Sequence, residues 1–224
     1  VDGLVGSEMC IRDSAPTVKK NSTIGYSANV IDCPPTLKDR EETLQKVIDQ
    51  TGASAMHPYN DMDVIEGNST ATMELLEDYP DLDAIFAPIG GGGLISGACL
   101  AAKYFSNAKV YGAEPEGADD AYRSFQKGEI IPMVNPQTIA DGLRTSLGEI
   151  GFEIMKTHLD SIFTVSESEI VSAMKWMWQK MKIIIEPSSA VPLAALIKNH
   201  ELFKDQQVGI IISGGNVDLD NLPF

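Results

Sequence analysis

The chain has 224 residues, 43% of them hydrophobic, and its 32 acidic against 17 basic side chains give a net charge of −15 at pH 7. A chain of this length buries a sizeable core. Its negative charge repels nucleic-acid phosphates and anionic lipid surfaces, and no apolar run is long enough to cross a bilayer, so we expect neither nucleic acid nor a membrane as a partner. The widely spaced Cys10, Cys33 and Cys99 match no disulfide or metal-site spacing, which predicts a reducing, cytoplasmic compartment.

Residues 1–14 carry no clear hydrophobic period and do not read as a secretory signal, because they lack a basic start and a continuous apolar stretch. The string resembles a translated sequencing adapter. A natural disordered terminus is the alternative. Under either interpretation we expect residues 1–14 not to pack.

From residue 15 onward, short apolar runs alternate with amphipathic segments. The predicted strands are 30–31, 53–56, 84–88, 109–113, 162–165 and 208–212, and the predicted helices are 36–51, 63–78, one beginning near Leu94, and 166–181. Apolar rather than half-polar strands indicate an α/β fold with a parallel sheet covered on both faces. Residues 15–62 hold only two weak strands, so we interpret them as the remnant of a small domain and residues 63–224 as a large domain.

Four consecutive glycines, Gly90 to Gly93, lie between a predicted buried strand and a predicted helix. A backbone without Cβ atoms lets an anion approach, and its amides point at the anion beside the positive end of the helix. The run therefore predicts a phosphate-binding loop, although such turns also serve packing alone. No Lys-Ser/Thr pair follows as in a P-loop, and the acidic ribose ligand of a nicotinamide-binding motif is missing, which disfavours an oxidoreductase.

A second glycine-rich turn, at Ser213 and Gly214, follows the last predicted strand. The carboxyl ends of parallel strands meet at one edge, where ligands of α/β proteins bind, so we expect the two turns to converge. Glu186 stands in an apolar run before Pro187, and an unpaired carboxylate is unfavourable to bury. It is either a surface helix breaker or a ligand-facing carboxylate, and we favour the second.

An acidic turn follows the strand that ends at Glu114, and it contains Asp119 and Asp120. Carboxylate and carbonyl oxygens are the ligands that hard cations prefer. The pattern is equally compatible with a solvated acidic loop.

Five segments, in this order and spacing, carry a resemblance to a known family. They are PIGGGGLISG (88–97), GAEPEGADDAYRS (112–124), TIADGLRTSLG (138–148), IIEPSSAVPLAAL (184–196) and ISGGNVDL (212–219). Over residues 15–224 the chain resembles the serine racemase and serine/threonine dehydratase family of pyridoxal-phosphate enzymes, which includes threo-3-hydroxyaspartate ammonia-lyases. It departs from the family at residues 67–70, which read GNST where the family usually has GQGT.

The resemblance implies a three-layer α/β fold with mostly parallel sheets, similar to the beta subunit of tryptophan synthase and incomplete at the N-terminus. It implies that residues 63–224 bind pyridoxal phosphate as follows. Gly90, Gly91, Gly92, Gly93 and Leu94 hold the phosphate through backbone amides, Ser213 faces the pyridine nitrogen, and Gly142, Glu186 and Gly214 line the ring. It also implies Mg²⁺ or a similar divalent cation bound by Glu114, the carbonyl of Ala118 and Asp120.

The implied reaction is deamination of serine, threonine or another 3-hydroxy amino acid to a 2-oxo acid and ammonia, with racemisation as a second activity. The implied assembly is a homodimer in cytoplasmic amino-acid metabolism. In the family, the Schiff-base lysine lies in an S-x-K segment and a second catalytic serine in an SGNHG loop, and neither pattern occurs in the 224 residues. We expect both upstream, and this chain to be a fragment without catalytic residues that is inactive alone. The alternative is a non-catalytic protein that binds pyridoxal phosphate or another ligand.

Overall fold

A computed structural model describes residues 7–12, 17–33 and 37–224. The chain divides into two compact units. The first is Val1–Met56 with Asn216–Leu222, and the second is His57–Gly215 with Pro223–Phe224. The second unit begins at His57. The domain boundary between residues 62 and 63 remains a prediction from the sequence.

The helices and strands alternate along the described chain. The strands are β1 (Glu8–Arg12), β2 (Asn29–Cys33), β3 (Ala84–Pro88), β4 (Lys109–Pro115), β5 (Ser161–Val165) and β6 (Val208–Ile210). The helices are α1 (Thr17–Gly25), α2 (Leu37–Thr51), α3 (Met62–Asp78), α4 (Gly93–Phe105), α5 (Asp120–Lys127), α6 (Glu149–His158), α7 (Glu167–Lys180) and α8 (Pro187–Lys198). Short 3₁₀ turns occupy Glu116–Ala118, Asp141–Leu143 and His200–Phe203.

The first unit contains a parallel two-stranded sheet. Strand β1 pairs with β2 in the register Glu8 with Asn29 through Arg12 with Cys33. The expectation that residues 1–14 do not pack is therefore wrong for Glu8–Arg12, because strand pairing uses backbone groups that any composition supplies. The predicted strand at residues 53–56 is also wrong, since these residues are exposed, lie outside regular structure and have no strand partner.

The second unit is built on a four-stranded sheet in the order β5-β4-β3-β6, and every neighbouring pair is parallel. Helix α4 packs against β3 and β4, and α8 packs against β3, β4 and β5. Because all four strands run the same way, the segments that follow them leave the sheet at one edge. These segments are the glycine run after β3, the acidic turn after β4, the start of α7 after β5 and the serine-glycine turn after β6.

Alternate residues of the strands form different cores on the two faces. Ile85 and Val110 belong to a hydrophobic cluster that includes α4 residues. Phe86, their neighbour on the opposite face, stacks on Tyr111 with a ring-centroid distance of 5.2 Å, and Phe203 meets Phe86 edge-on at 4.9 Å. Strand β3 is buried along its whole length, as expected for a central parallel strand with both faces covered.

The α/β class with parallel sheets is confirmed. The strands predicted at 84–88, 109–113 and 162–165 are present, and β6 ends at Ile210, before the predicted end at residue 212. The sequence interpretation assigned no helix to the segments that form α5, α6 and α8. The last of these carries Pro192 in its interior, which is unfavourable in an isolated helix and is tolerated here where the helix is buried against the sheet.

Candidate functional site

The glycine run forms the turn between β3 and the first residue of α4. The carbonyl oxygens of Gly91 and Gly92 accept hydrogen bonds from the amides of Gly148 and Ser96, both at 3.0 Å. Within the described part of the chain, no hydrogen bond uses the amides of the four glycines. Gly92 has a φ of 94°, a backbone conformation that is unfavourable for any residue with a side chain. The loop therefore presents unused N–H groups at the N-terminus of a 13-residue helix, where they suit an anion.

Tyr59 packs directly on this loop and was missed by the sequence interpretation. A Cβ atom added to Gly91 would lie 2.2 Å from Cγ of Tyr59, and one added to Gly93 would lie 3.1 Å from the tyrosine Cβ and 3.2 Å from Nδ2 of Asn68. The glycines are thus required for close packing as well as for access to their amides. No period or charge pattern marked Tyr59, because its contact with the loop is purely tertiary.

Gly142 links the glycine run to Glu186. A Cβ atom on Gly90 would lie 3.0 Å from the carbonyl oxygen of Gly142, and one on Gly142 would lie 3.8 Å from Oε1 of Glu186. The amide of Gly142 donates to Oγ of Ser188 at 3.2 Å. The structure therefore brings together residues that are far apart in the sequence.

The turn after β6 adjoins the same glutamate. A Cβ atom on Gly214 would lie 3.4 Å from Oε1 of Glu186, and the amide of Glu186 donates to the carbonyl of Gly214 at 3.1 Å. The Ser213 residue is exposed, and its hydroxyl lies 2.9 Å from that of Ser189. Ser189 is fully buried. The sequence interpretation quoted Ser188 and Ser189 within a motif and gave neither a role, and two serines at the start of a buried helix were the available signal.

Two buried carboxyl groups flank the acidic turn after β4, one near the end of β4 and one at the start of α5. Glu114 and Asp120 are both fully buried. The oxygens of Glu114 accept hydrogen bonds from the amides of Ala121 at 3.2 Å and Tyr122 at 2.7 Å. Burial, followed by repulsion from Asp120, raises the pKa of Glu114 well above its usual value.

Asp120 is itself shifted. Burial raises its pKa from 3.8 to about 6, against the opposing effect of a hydrogen bond from the amide of Leu147 to Oδ2 at 3.2 Å. The other oxygen, Oδ1, is buried and has no hydrogen-bond partner. Ala118, the third predicted ligand, is also buried. Two carboxyl groups that resist ionisation together, one with an orphan oxygen, suit a cation placed between them.

The described residues contain no larger metal cluster and no membrane span. Among them, no three or more His, Cys, Asp or Glu side chains are grouped to hold a metal ion. The predicted cation site contributes only two carboxyl groups and a carbonyl, so this absence does not contradict it. No described helix combines the length and apolar character needed to cross a membrane.

Comparisons with known proteins identify the family. The family model described as "Pyridoxal-phosphate dependent enzyme" matches residues 5–214. The chain is 49% identical over 212 residues to beta-hydroxyaspartate dehydratase of Paracoccus denitrificans, covering 94% of this chain and 67% of that protein. The chain belongs to the pyridoxal-phosphate dependent enzymes.

Solved structures of this family share the fold. The crystal structure of serine racemase from Dictyostelium discoideum matches with a TM-score of 0.88 and 48% identity, over 95% of this chain and 69% of that one. The crystal structure of T.th. threonine deaminase matches with a TM-score of 0.88 and 38% identity, over 95% and 70%. The predicted fold is thereby confirmed. The chain spans about two thirds of the length of these relatives.

The site residues fit the cofactor of the pyridoxal-phosphate enzymes. The unused glycine amides suit a phosphate, and the space above Gly91 has no room for a Cβ atom. The exposed Ser213 is a neutral hydroxyl at the same edge of the sheet, next to Glu186 and Gly214. These groups match the chemistry of a phosphorylated pyridine ring.

Proposed function

We propose that this protein is a pyridoxal-phosphate enzyme that deaminates or racemises small hydroxy amino acids. The observation that carries the proposal is the convergence of the glycine run, Gly142, Glu186 and the Ser213 turn at the carboxyl edge of one parallel sheet. The relatives named as a beta-hydroxyaspartate dehydratase, a serine racemase and a threonine deaminase support this class of substrate. Their names differ in substrate as well as in reaction, so the candidate substrates are serine, threonine and 3-hydroxyaspartate.

The proposed cofactor contacts are those that the family resemblance implies. The amides of Gly90, Gly91, Gly92, Gly93 and Leu94 bind the phosphate, and Gly142, Glu186 and Gly214 line the ring. When bound, pyridoxal phosphate supplies the electron sink that makes the α-proton of an amino acid acidic. Ser213 offers a neutral hydroxyl to the ring nitrogen and so keeps that nitrogen largely unprotonated, which weakens the sink and favours elimination.

Mg²⁺, or a similar divalent cation, is proposed to bind Glu114, the carbonyl of Ala118 and Asp120. Support comes from the orphan Oδ1 of Asp120 and from the raised pKa values of both carboxyl groups. Glu114 lies near the end of β4, the neighbour of the strand β3 that leads into the glycine run, and Asp120 begins α5. We therefore propose that the cation acts on the shape of this edge rather than on the reacting atoms.

The 224 residues contain no S-x-K segment, so no lysine here is proposed to form the Schiff base. We propose that the chain assayed alone binds pyridoxal phosphate and shows no turnover. A cytoplasmic homodimer is part of the same proposal, by family resemblance, and sedimentation velocity tests the dimer.

The test begins with binding. Titration of the 224-residue chain with pyridoxal phosphate, followed by cofactor absorbance and fluorescence, should give saturable binding. Absence of binding to the folded chain contradicts the proposed function. Borohydride reduction with peptide mapping should then find no labelled lysine among these residues.

Turnover is tested with the sequence encoded at the same locus, extended in frame upstream. L-Serine, L-threonine and threo-3-hydroxyaspartate are assayed for 2-oxo acid and ammonia, and serine also for its D-enantiomer. Release of a 2-oxo acid or inversion of serine supports the proposal. Cofactor binding with no reaction on any of the three amino acids favours the non-catalytic alternative.

A further inference from the structure

Two consecutive backbone amides join the proposed cation site to the glycine run. The amide of Leu147 donates to Oδ2 of Asp120 at 3.2 Å. The amide of the next residue, Gly148, donates to the carbonyl oxygen of Gly91 at 3.0 Å. All four residues are buried, so water competes little for either hydrogen bond. The two proposed sites are thus separated by a single pair of adjacent residues.

The Gly148 hydrogen bond sets the direction of an unused donor. A peptide group is planar and trans, so its C=O and N–H point in opposite directions. The carbonyl of Gly91 is turned towards Gly148. The N–H of Gly92 belongs to the same peptide group and therefore points away from Gly148. Among the described residues this N–H has no hydrogen-bond partner, and it is one of the amides proposed to bind the cofactor phosphate.

The two linking residues have little room to move. The Leu147 side chain is buried in the hydrophobic cluster that includes α4 residues. A Cβ atom added to Gly92 would lie 3.2 Å from Cδ2 of Leu147, and one added to Gly148 would lie 2.7 Å from Oδ1 of Asn60. Close packing of this kind transmits a displacement instead of absorbing it. A constraint applied at Leu147 is therefore felt at the glycine run.

A cation would apply such a constraint through Asp120. Its Oδ1 is buried and has no hydrogen-bond partner, whereas Oδ2 accepts the amide of Leu147. A cation bound to Oδ1 fixes the orientation of the whole carboxylate, because its two oxygens share one rigid plane. The position of Oδ2 is then fixed as well, and with it the direction of the Leu147 amide.

We propose that Leu147 and Gly148 are positioning residues that couple the cation site to the glycine run. This inference rests on the proposed function. A cation at Asp120 holds the Leu147 amide in place. The Gly148 amide then holds the peptide group between Gly91 and Gly92 in the orientation that suits the phosphate. The cation and pyridoxal phosphate consequently bind with positive cooperativity, and each raises the affinity for the other by the same factor, about fivefold.

The experiment removes one N–H group and leaves every side chain in place. Leu147 is replaced by its α-hydroxy acid, so that the backbone N–H becomes an ester oxygen that cannot donate to Asp120. The matched control is the same replacement at Leu159, which follows α6, is also buried, and donates its amide to the carbonyl of Met155 at 2.9 Å. Each ester removes one backbone hydrogen bond of a buried leucine, so an effect common to both reports stability alone.

The readout is the dissociation constant of pyridoxal phosphate, measured by cofactor fluorescence in EDTA and in saturating Mg²⁺. The dissociation constant of Mg²⁺ is measured with and without the cofactor as a check of reciprocity. In the wild type and in the Leu159 ester, Mg²⁺ should lower the pyridoxal-phosphate constant about fivefold. In the Leu147 ester the two constants should be nearly equal. Direct attraction between cation and phosphate does not need the Leu147 amide, so it would survive in that ester.

A second measurement needs no replacement in the chain. The wild type is prepared with isotopically labelled glycine, and its amide resonances are followed by NMR without cofactor. Addition of Mg²⁺ should shift the resonances of Gly92 and Gly148 and leave that of Gly209, in β6, in place. This result tests the link even if the Leu147 ester does not fold.

Several outcomes would overturn the inference. They are independent binding of Mg²⁺ and pyridoxal phosphate to the wild type, a fivefold Mg²⁺ effect that persists in the Leu147 ester, an equal loss of this effect in both esters, and a Gly92 resonance that does not respond to Mg²⁺. Failure of the folded wild-type chain to bind the cofactor or Mg²⁺ at all would instead refute the proposed function on which the inference rests.

Discussion

Replacing Asp120 by asparagine should stabilise the protein in the absence of divalent cations. The pKa of Asp120 is about 6 in the folded protein, against its usual 3.8. A carboxyl group whose pKa is raised by folding stabilises the fold below pH 3.8, and this contribution is lost as the pH rises through 6. At about 1.4 kcal/mol per pH unit, the free energy of unfolding falls by about 3 kcal/mol across that window.

Asparagine carries no charge, so Asp120→Asn avoids this loss. Its side-chain oxygen can still accept the amide of Leu147, and its NH₂ group takes the position of one carboxylate oxygen. In EDTA at pH 7.5, the variant should therefore be up to about 3 kcal/mol more stable than wild type, and its melting temperature about 6–12 °C higher. At about pH 3 and below the two proteins should have similar stability, because Asp120 is then mostly protonated in both the folded and unfolded states.

Magnesium should remove most of this difference. At 100 times its dissociation constant, a bound cation stabilises the wild type by about 2.7 kcal/mol, and Asp120→Asn should lose most of that gain. The assay is thermal and urea unfolding of both proteins between pH 3 and 8, with EDTA or Mg²⁺.

Asp119→Asn is the matched control. Asp119 is the adjacent, half-buried aspartate and pairs with Arg123 at 2.7 Å. It should change stability by less than about 1 kcal/mol and keep the Mg²⁺ response. A less stable Asp120→Asn variant at pH 7.5 in EDTA, or one with the full Mg²⁺ stabilisation, refutes the reasoning.

Three further substitutions test the packing around the site. Gly91→Ala should lower the affinity for pyridoxal phosphate about tenfold or more and destabilise the fold by about 1–3 kcal/mol, because its Cβ would lie 2.2 Å from the Tyr59 ring. The control Gly67→Ala, in α3 with nothing within 4 Å of the added Cβ, should instead raise stability by about 1 kcal/mol. Equal cofactor affinity in both variants would contradict phosphate binding by the glycine run. Gly97→Ala should reduce the free energy of unfolding by about 3 kcal/mol, since its Cβ would lie 2.6 Å from the backbone nitrogen of Ser69 where α3 crosses α4. A urea unfolding midpoint equal to that of the wild type would contradict this close crossing of the two helices. Thr72→Val should raise the melting temperature, because it removes a fully buried hydroxyl that has no hydrogen-bond partner and that costs about 1–2 kcal/mol of stability. A lower melting temperature would show that the Thr72 hydroxyl is hydrogen-bonded in the folded protein.

Local signals in the sequence were enough to predict several elements. The helix predicted at residues 166–181 is present as α7, and it begins with a capping box of Ser166 and Glu169. In the structure the amide of Ser166 donates to Glu169 at 2.7 Å, and Oγ of Ser166 accepts the amide of Glu169 at 3.4 Å. The glycine run between β3 and α4 was predicted in the same way. Both features lie within a few adjacent residues, so composition and spacing suffice to specify them.

Contacts between distant segments were decided only by the tertiary structure. Tyr59 lies against Gly91, and Ser189 reaches Ser213 across 24 residues of chain. Strand β1 was missed for the same reason, because its partner β2 supplies the backbone groups that make it a strand. The ionisation of Asp120 likewise depends on burial by other elements. By itself the sequence thus determined the fold class, the glycine run and the family resemblance. The hydrogen-bond partners and the shifted pKa values were decided only by the tertiary structure, because desolvation and close contact between distant segments exist only in the folded chain.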